Sequence, residues 1–368
     1  MGKVNVKDLV PGMITTEPVK TQRGQLIVNE GVPLTTRLIT RMEFYGISEA
    51  SVIVLRTTDG LETPPSVEET EINTPELTYS QKVRKSTSFQ KFQIDYTKKV
   101  QAFFNCLKDF KETRSLRYTK ELVDIPTSLI EETQTSIQFF DMLHNLRQND
   151  DSIYAHSLNV AMISRMIGTW LKMSPEDLDT LTLAGALHDV GKFTIPDEVL
   201  NKEGKLTDEE FALIKSHPSE GYDLLKTQDV DFHVKQSALM HHERCDGSGY
   251  PLGLTRDELD NYAMIIAIAD VYDAMTAARK YRAPLCPFEV IAEFEKDGLA
   301  KYHPKYILTF LNHIANTYQN NQVLLSDGRK AKIILLNQNH LSKPMIQVED
   351  GSCIDLSTDL SLTIKAVL

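Results

Sequence analysis

Apolar residues recur along this chain in two rhythms, and the rhythm changes twice. Near the start, Met13 to Thr21 and Gln25 to Asn29 read as short strands, and Ser51 to Leu55 as an apolar strand. Between them Leu38, Ile39, Met42 and Tyr45 fall on one side of a helix for which Thr35 or Thr36 is the cap. These predict a small α+β unit over residues 1–60. Residues 57 to 80, with Pro64-Pro65, Pro75 and many Glu and Thr, have linker composition, so a linker is expected over 61–84. The period then becomes helical. Phe92, Tyr96, Phe103, Leu107 and Phe110, followed by Ile130, Ile137 and Phe140, predict a helical connector over 85–145. Its apolar stripe either pairs two copies into a homodimer through a helical hairpin or packs on the neighbouring domain. From His156 to about Tyr318 the pattern stays helical, with Pro175, Pro196, Pro218, Pro251, Pro284 and Pro304 at the boundaries, which predicts an all-helical domain over 146–318. Beyond it Val323 to Leu325, Ala331 to Leu336, Met345 to Val348 and Leu362 to Val367 read as strands, with turns at Ser326-Asp327-Gly328 and Glu349-Asp350-Gly351. A β-rich cap over 319–368 is expected, and a mainly α chain overall.

Length and charge narrow the function classes. A chain of 368 residues, 41% hydrophobic, can bury a large core. Its strongest apolar run, Ala263 to Ala269, is far shorter than the roughly 20 residues of a bilayer span. Met1 to Val10 contain no apolar stretch followed by a small-residue cleavage site, so a cytoplasmic protein is expected. Cys106, Cys245, Cys286 and Cys353 are scattered and predict reduced thiols. A formal net charge of −11 argues against a face for long nucleic acid. It does not exclude a small anion, because metals and a few arginines can reverse the potential inside one cleft.

The chemistry-bearing residues lie in the central zone. His188-Asp189-Val190-Gly191-Lys192 joins an imidazole to a carboxylate able to bridge two divalent ions. Asp189 and Lys192 are three apart on an expected helix running from Leu181, so they share a face. An isolated His-Asp pair is weak evidence and would be read as a buried histidine bonded to backbone beside a capping aspartate. Here it has company: His156 on the preceding helix, His217, the pair His241-His242, and Asp270 in an apolar helix where an unpaired carboxylate would be costly. Metal coordination accounts for Asp270; the competing reading is a salt bridge to Arg279 or Lys280, nine or ten residues away. His144, His233, His303, His313 and His340 lack such neighbours and receive no role.

In this order, with Gly191-Lys192, with Glu243, Asp246-Gly247 and Gly249-Tyr250-Pro251 after His241-His242, and with Asp273 after Asp270, the residues resemble the HD-GYP family over about 145 to 315. That is the branch of the HD phosphohydrolases acting on the bacterial second messenger cyclic di-GMP. The resemblance implies a central HD-type metal-dependent phosphohydrolase domain holding two divalent ions. One would be held by His156, His188, Asp189 and Asp270, the other by Asp189, His217, His241 and His242, with Asp189 bridging. Some members hold a third ion through a glutamate four residues before the first histidine; Ser152 stands there, with Asp151 beside it, so a dinuclear site is expected. Iron or manganese is favoured by the resemblance, and the donor set also suits nickel or zinc.

Two ions so placed would generate a bridging hydroxide for in-line attack on a phosphodiester, giving linear pGpG and onward GMP. Lys192 would neutralise the growing charge and protonate the leaving oxygen. The family pattern implies substrate contacts from Tyr250, Arg279 and Arg282, the two arginines i, i+3 on a helix. Gly247 and Gly249 permit a turn that brings backbone to the ligand, and Asp273 orients a metal ligand from behind. Glu243 and Arg244 read as supporting or exposed. Two further readings stay open: a cyclic-dinucleotide receptor or scaffold with negligible turnover, and a hydrolase of a mixed cyclic GMP-AMP dinucleotide.

Overall fold

The computed structural model describes residues 2–6, 9, 13–20, 26–28, 34, 38–39, 42, 47–53, 83–146, 153–202, 204–277, 285–359 and 361–368. It divides into two compact units, 1–74 and 75–368. In the first, strands β1 (Gly2–Asn5), β2 (Ile14–Thr15) and β5 (Glu49–Ile53) form an antiparallel sheet in the order β1-β5-β2, while β3 (Val19–Lys20) pairs with β4 (Leu26–Val28). The predicted strand around Met13 to Thr21 is therefore two short strands in different sheets, and β1 was not legible in the apolar pattern. Leu38, Ile39 and Met42 are helical as expected, with Met42 fully buried. Thr35, Thr36 and nearly all of the expected linker lie outside the described residues.

The second unit is helical up to a C-terminal sheet. Helix α1 (Thr87–Thr113) starts at Ser86, whose hydroxyl accepts the Phe89 N–H, and stops at Arg114 in the left-handed region. Its stripe of Phe92, Tyr96, Phe103, Leu107 and Phe110 is buried in the core of its own unit. Each such phenylalanine contributes roughly 1.5–3 kcal/mol by leaving water. Helices α2 (Thr119–Glu131) and α3 (Ser136–Leu146) follow, and Ile137 is exposed rather than part of that stripe.

Then come α4 (Ile153–Trp170), α5 (Pro175–Leu187), a 3-10 turn at Val190–Thr194, α6 (Asp197–Leu200), α7 (Asp208–Lys215), α8 (His217–Leu225), α9 (Phe232–Met240), α10 (Asn261–Thr276), α11 (Pro287–Lys301) and α12 (Pro304–Thr317). Proline opens α5, α8, α11 and α12, where its missing N–H has no helical partner to lose. Pro284 lies outside the described residues. Helix α10 is buried nearly throughout and packs on α4 and α9.

The chain ends in an antiparallel sheet of order β10-β6-β7-β8-β9, from β6 (Gln322–Leu325), β7 (Lys330–Leu335), β8 (Met345–Val348), β9 (Cys353–Asp355) and β10 (Ile364–Val367). Both expected turns contain glycine at positive φ, Gly328 at 87° and Gly351 at 85°. Val323, Ile333, Ile346 and Ile364 join the same apolar core as the helices. No helix among the described residues is long and apolar enough to cross a membrane.

Candidate metal centre

Asp189 sits where α4, α5, α8 and α9 converge with a short turn. Helix α5 stops at Leu187, so Asp189 and Lys192 are not on one α-helix as the spacing suggested; Asp189 opens the 3-10 turn Val190–Thr194. A 3-10 turn eclipses i and i+3, which still points both residues the same way, and Lys192 Nζ lies 2.5 Å from Asp189 Oδ2. The turn is pressed against the start of α8: a Cβ added to Gly191 would fall 1.8 Å from the His217 carbonyl oxygen. Close packing at that glycine brings His217 to the aspartate.

Around Asp189 the imidazoles point inward. His217 Nε2 is 3.2 Å from Asp189 Oδ1 and His241 Nε2 is 3.6 Å away, while His188 Nε2 and His156 Nε2 lie 3.4 and 3.6 Å from Oδ2. Three rings are fixed from behind. Nδ1 of His188, His217 and His241 faces the carbonyls of Gly185, Ile214 and Ala238 at 2.8, 2.6 and 3.0 Å. A carbonyl only accepts, so Nδ1 carries a proton in each ring and Nε2 is the atom turned toward the cluster. Nε2 atoms and the Asp189 carboxylate oxygens face one another, an arrangement that a cation between them would complete. Consistently, buried His188 Nε2 and Asp189 Oδ1 have no hydrogen-bond partner.

Ligand atoms fall into two groups, each within 4.8 Å of one another: Asp189, His217, His241 and His242, and His156, His188 and Asp189. Asp189 belongs to both. Asp270 borders the second, with Oδ1 3.1 Å from His156 Nε2, and its Oδ2 is 3.9 Å from His242 Nδ1. Its partners are thus histidines. Asp273, one helical turn further along α10, takes His156 Nδ1 at 2.7 Å. The set of imidazoles and carboxylates fits divalent metal.

The electrostatics suit cation binding. Burial pushes the Asp189 carboxyl up, but Lys192 and His188 outweigh it and hold the group well below the usual range. Burial likewise opposes ionisation of Asp270, and its hydrogen bond with His156 reverses the shift downward. Burial lowers His241 to about 4, and burial together with the neighbouring imidazole of His241 depresses His242 as well, which keeps both rings available as neutral donors to a cation. His156 differs. Burial lowers it, but hydrogen bonds to Asp270 and Asp273 lift it to about 10, so a cation taking its Nε2 would have to displace a proton.

A family model described as HD domain matches residues 122–305, half of the chain. The chain belongs to the HD domain family. A cyclic di-GMP phosphodiesterase of Pseudomonas aeruginosa is 34% identical over 208 residues, 56% of this chain and 50% of that protein. A 3′3′-cGAMP-specific phosphodiesterase of Vibrio cholerae is 34% identical over 161 residues, 43% of this chain and 31% of the relative. The chain thus spans half or less of the length of these relatives. A solved structure of an HDG"Y"P protein from Bdellovibrio bacteriovorus aligns with TM-score 0.48 and 16% identity, covering 85% of this chain and 99% of its own.

In this HD domain the Gly-Tyr-Pro loop closes over the cluster. The Tyr250 ring stacks on His242 with centroids 4.7 Å apart, and Lys215 Nζ lies 4.6 Å from the centroid of the same tyrosine ring. Burial, with the charges of Asp270 and Asp189, pushes the Tyr250 hydroxyl up, so it remains a protonated donor. Gly247 has a φ of 77°, the left-handed conformation expected of it. Gly249 is needed for a different reason: a Cβ there would lie 2.3 Å from Glu243 Cα.

Glu243 is the residue the sequence reading underrated. It is 2% exposed, and its carboxylate accepts the N–H groups of Leu252, Gly253 and Leu254 at 2.6, 3.1 and 3.1 Å. Next to two metal-ligand histidine candidates and nine to eleven residues before its partners, it gave no local signal beyond adjacency to His242. Arg244 donates to the His241 and Glu243 carbonyls and covers the Tyr302 ring at 5.3 Å. Arg279, Arg282, Asp151 and Ser152 lie outside the described residues.

Proposed function

We propose that this HD domain is a metal-dependent phosphodiesterase that opens cyclic di-GMP to linear pGpG, with GMP as the product of a second cut. The observation that carries the reading is the pair of ligand groups sharing Asp189, in a protein of the HD family. His156, His188, Asp189 and Asp270 would hold one divalent ion and Asp189, His217, His241 and His242 the other, with iron or manganese preferred and nickel or zinc compatible with the donors. Two divalent ions supply Lewis acidity toward a phosphodiester and a nucleophilic water at neutral pH.

The chain's own residues do the rest. Asp273 fixes the His156 ring and thereby the direction of its Nε2. Lys192 places an ammonium against Asp189 Oδ2, where it would neutralise phosphate charge and donate a proton to the leaving sugar oxygen. Tyr250 offers its hydroxyl hydrogen to a phosphate oxygen, and Arg279 and Arg282 add cationic contacts. The four free cysteines suit a reducing cytoplasm, where a nucleotide messenger would be met.

A mixed cyclic GMP-AMP dinucleotide is the second substrate reading, favoured by the Vibrio cholerae relative named for it. Anaerobic incubation of the iron- or manganese-loaded protein with each dinucleotide, followed by chromatography, tests both. Linear product from cyclic di-GMP, absent with Asp189→Ala, is expected. Faster turnover of the mixed dinucleotide would reassign the substrate, and tight binding without product would favour a receptor.

A further inference from the structure

A line of aromatic and cationic groups leads outward from the metal-ligand cluster. His242 stacks on Tyr250, Lys215 Nζ lies 4.6 Å from the Tyr250 ring centroid, and the same ammonium is 5.7 Å from the Phe211 ring. Phe211 and Lys215 are i and i+4 on α7, which puts them on one face of a helix with no buried residue. Phe211 is 54% exposed. Lys215 makes no ion pair among the described residues and is followed, after Ser216, by His217 of the cluster.

An exposed phenylalanine normally costs nothing and means nothing. This one stands beside a cation already shared with the loop tyrosine, at the edge of a site built for phosphate. A flat apolar face next to an ammonium matches the two halves of a nucleotide: a base to stack and a phosphate to neutralise. Helix α7 is closed at its start by the capping box between Thr207 and Glu210 and ends one residue before α8, so the pair is presented from a formed helix beside His217.

We propose that Phe211 and Lys215 form an outer subsite that stacks a purine base of the dinucleotide on Phe211 and pairs its adjoining phosphate with Lys215. The subsite rests on the nucleotide reading of the neighbouring centre, and it makes α7 a determinant of affinity rather than of the chemical step.

Binding of GMP and of ribose 5-phosphate to the full metal-loaded chain isolates the base. The wild type and Phe211→Trp are expected to bind GMP about tenfold more tightly than ribose 5-phosphate, as base–aromatic stacking allows. Phe211→Ala is expected to bind the two equally, and Lys215→Gln to weaken both, with metal content unchanged in each variant. A GMP preference that survives Phe211→Ala, or is missing from the wild type, overturns the subsite and leaves Phe211 as a surface for some other partner. Turnover of cyclic di-GMP by the same preparations separates the two readings: a Phe211-dependent preference without turnover overturns the hydrolase alone, and turnover with a preference indifferent to Phe211 overturns the subsite alone.

Discussion

Glu243 shows how a single buried carboxylate can govern the loop that faces a site. It accepts three successive backbone N–H groups, Leu252 to Leu254, from just beyond the Gly-Tyr-Pro turn, and its neighbour His242 carries the Tyr250 ring. Glu243→Gln keeps the shape but turns an amide N–H₂ toward backbone donors. A loss of about 1–3 kcal/mol of stability follows from leaving such donors unsatisfied. Urea unfolding should show it, together with a raised KM for dinucleotide and unaltered metal content. Unchanged stability and KM would mean that the loop holds its place without the carboxylate. The histidines were readable as a set, because His156, His188-Asp189, His217, His241-His242 and Asp270 recur through one helical region, whereas a single His-Asp pair would have said little. The Glu243 contacts were not, because their partners are backbone groups with no sequence signature.

At the scale of elements, the expected helices and the C-terminal strands are largely where apolar periodicity places them. The departures have physical causes. Cys353–Asp355 pairs as an edge strand through its backbone to β8, with no buried side chain to mark it. The break after Leu187 was hidden because a three-residue spacing shares a face in a 3-10 turn as it does in an α-helix. That turn is held by contact rather than by propensity. A methyl group on Gly191 would lie 1.8 Å from the His217 carbonyl oxygen and 2.5 Å from the Gly221 nitrogen, both backbone atoms. Gly191→Ala should therefore cost about 1–3 kcal/mol as overpacking and move Asp189 away from His217. Thermal melting and metal affinity should both fall; a variant that melts and binds metal like the wild type would show that the turn can slide.

The whole molecule comprises two units, and the larger one sets its helices and its terminal sheet around one apolar core. That core fixes α4, α5, α8, α9 and α10 closely enough that six other candidate ligands drawn from 115 positions of chain, His156 to Asp270, gather about Asp189. The family was legible in the sequence, and so were the residues that the fold gathers around Asp189. The seating of the ligands was not, since it depends on tertiary contacts such as Gly191 against α8. We propose a two-ion hydrolytic centre bridged by Asp189, and adding iron or manganese stepwise to the metal-free protein under anaerobic conditions, while measuring bound metal and the rate of cyclic di-GMP cleavage, tests it. The rate is expected to reach its plateau at two ions per chain, with Asp189→Ala binding neither ion tightly and giving no product. Full activity with one ion or none, or an Asp189→Ala variant that still binds two and cleaves, would contradict it.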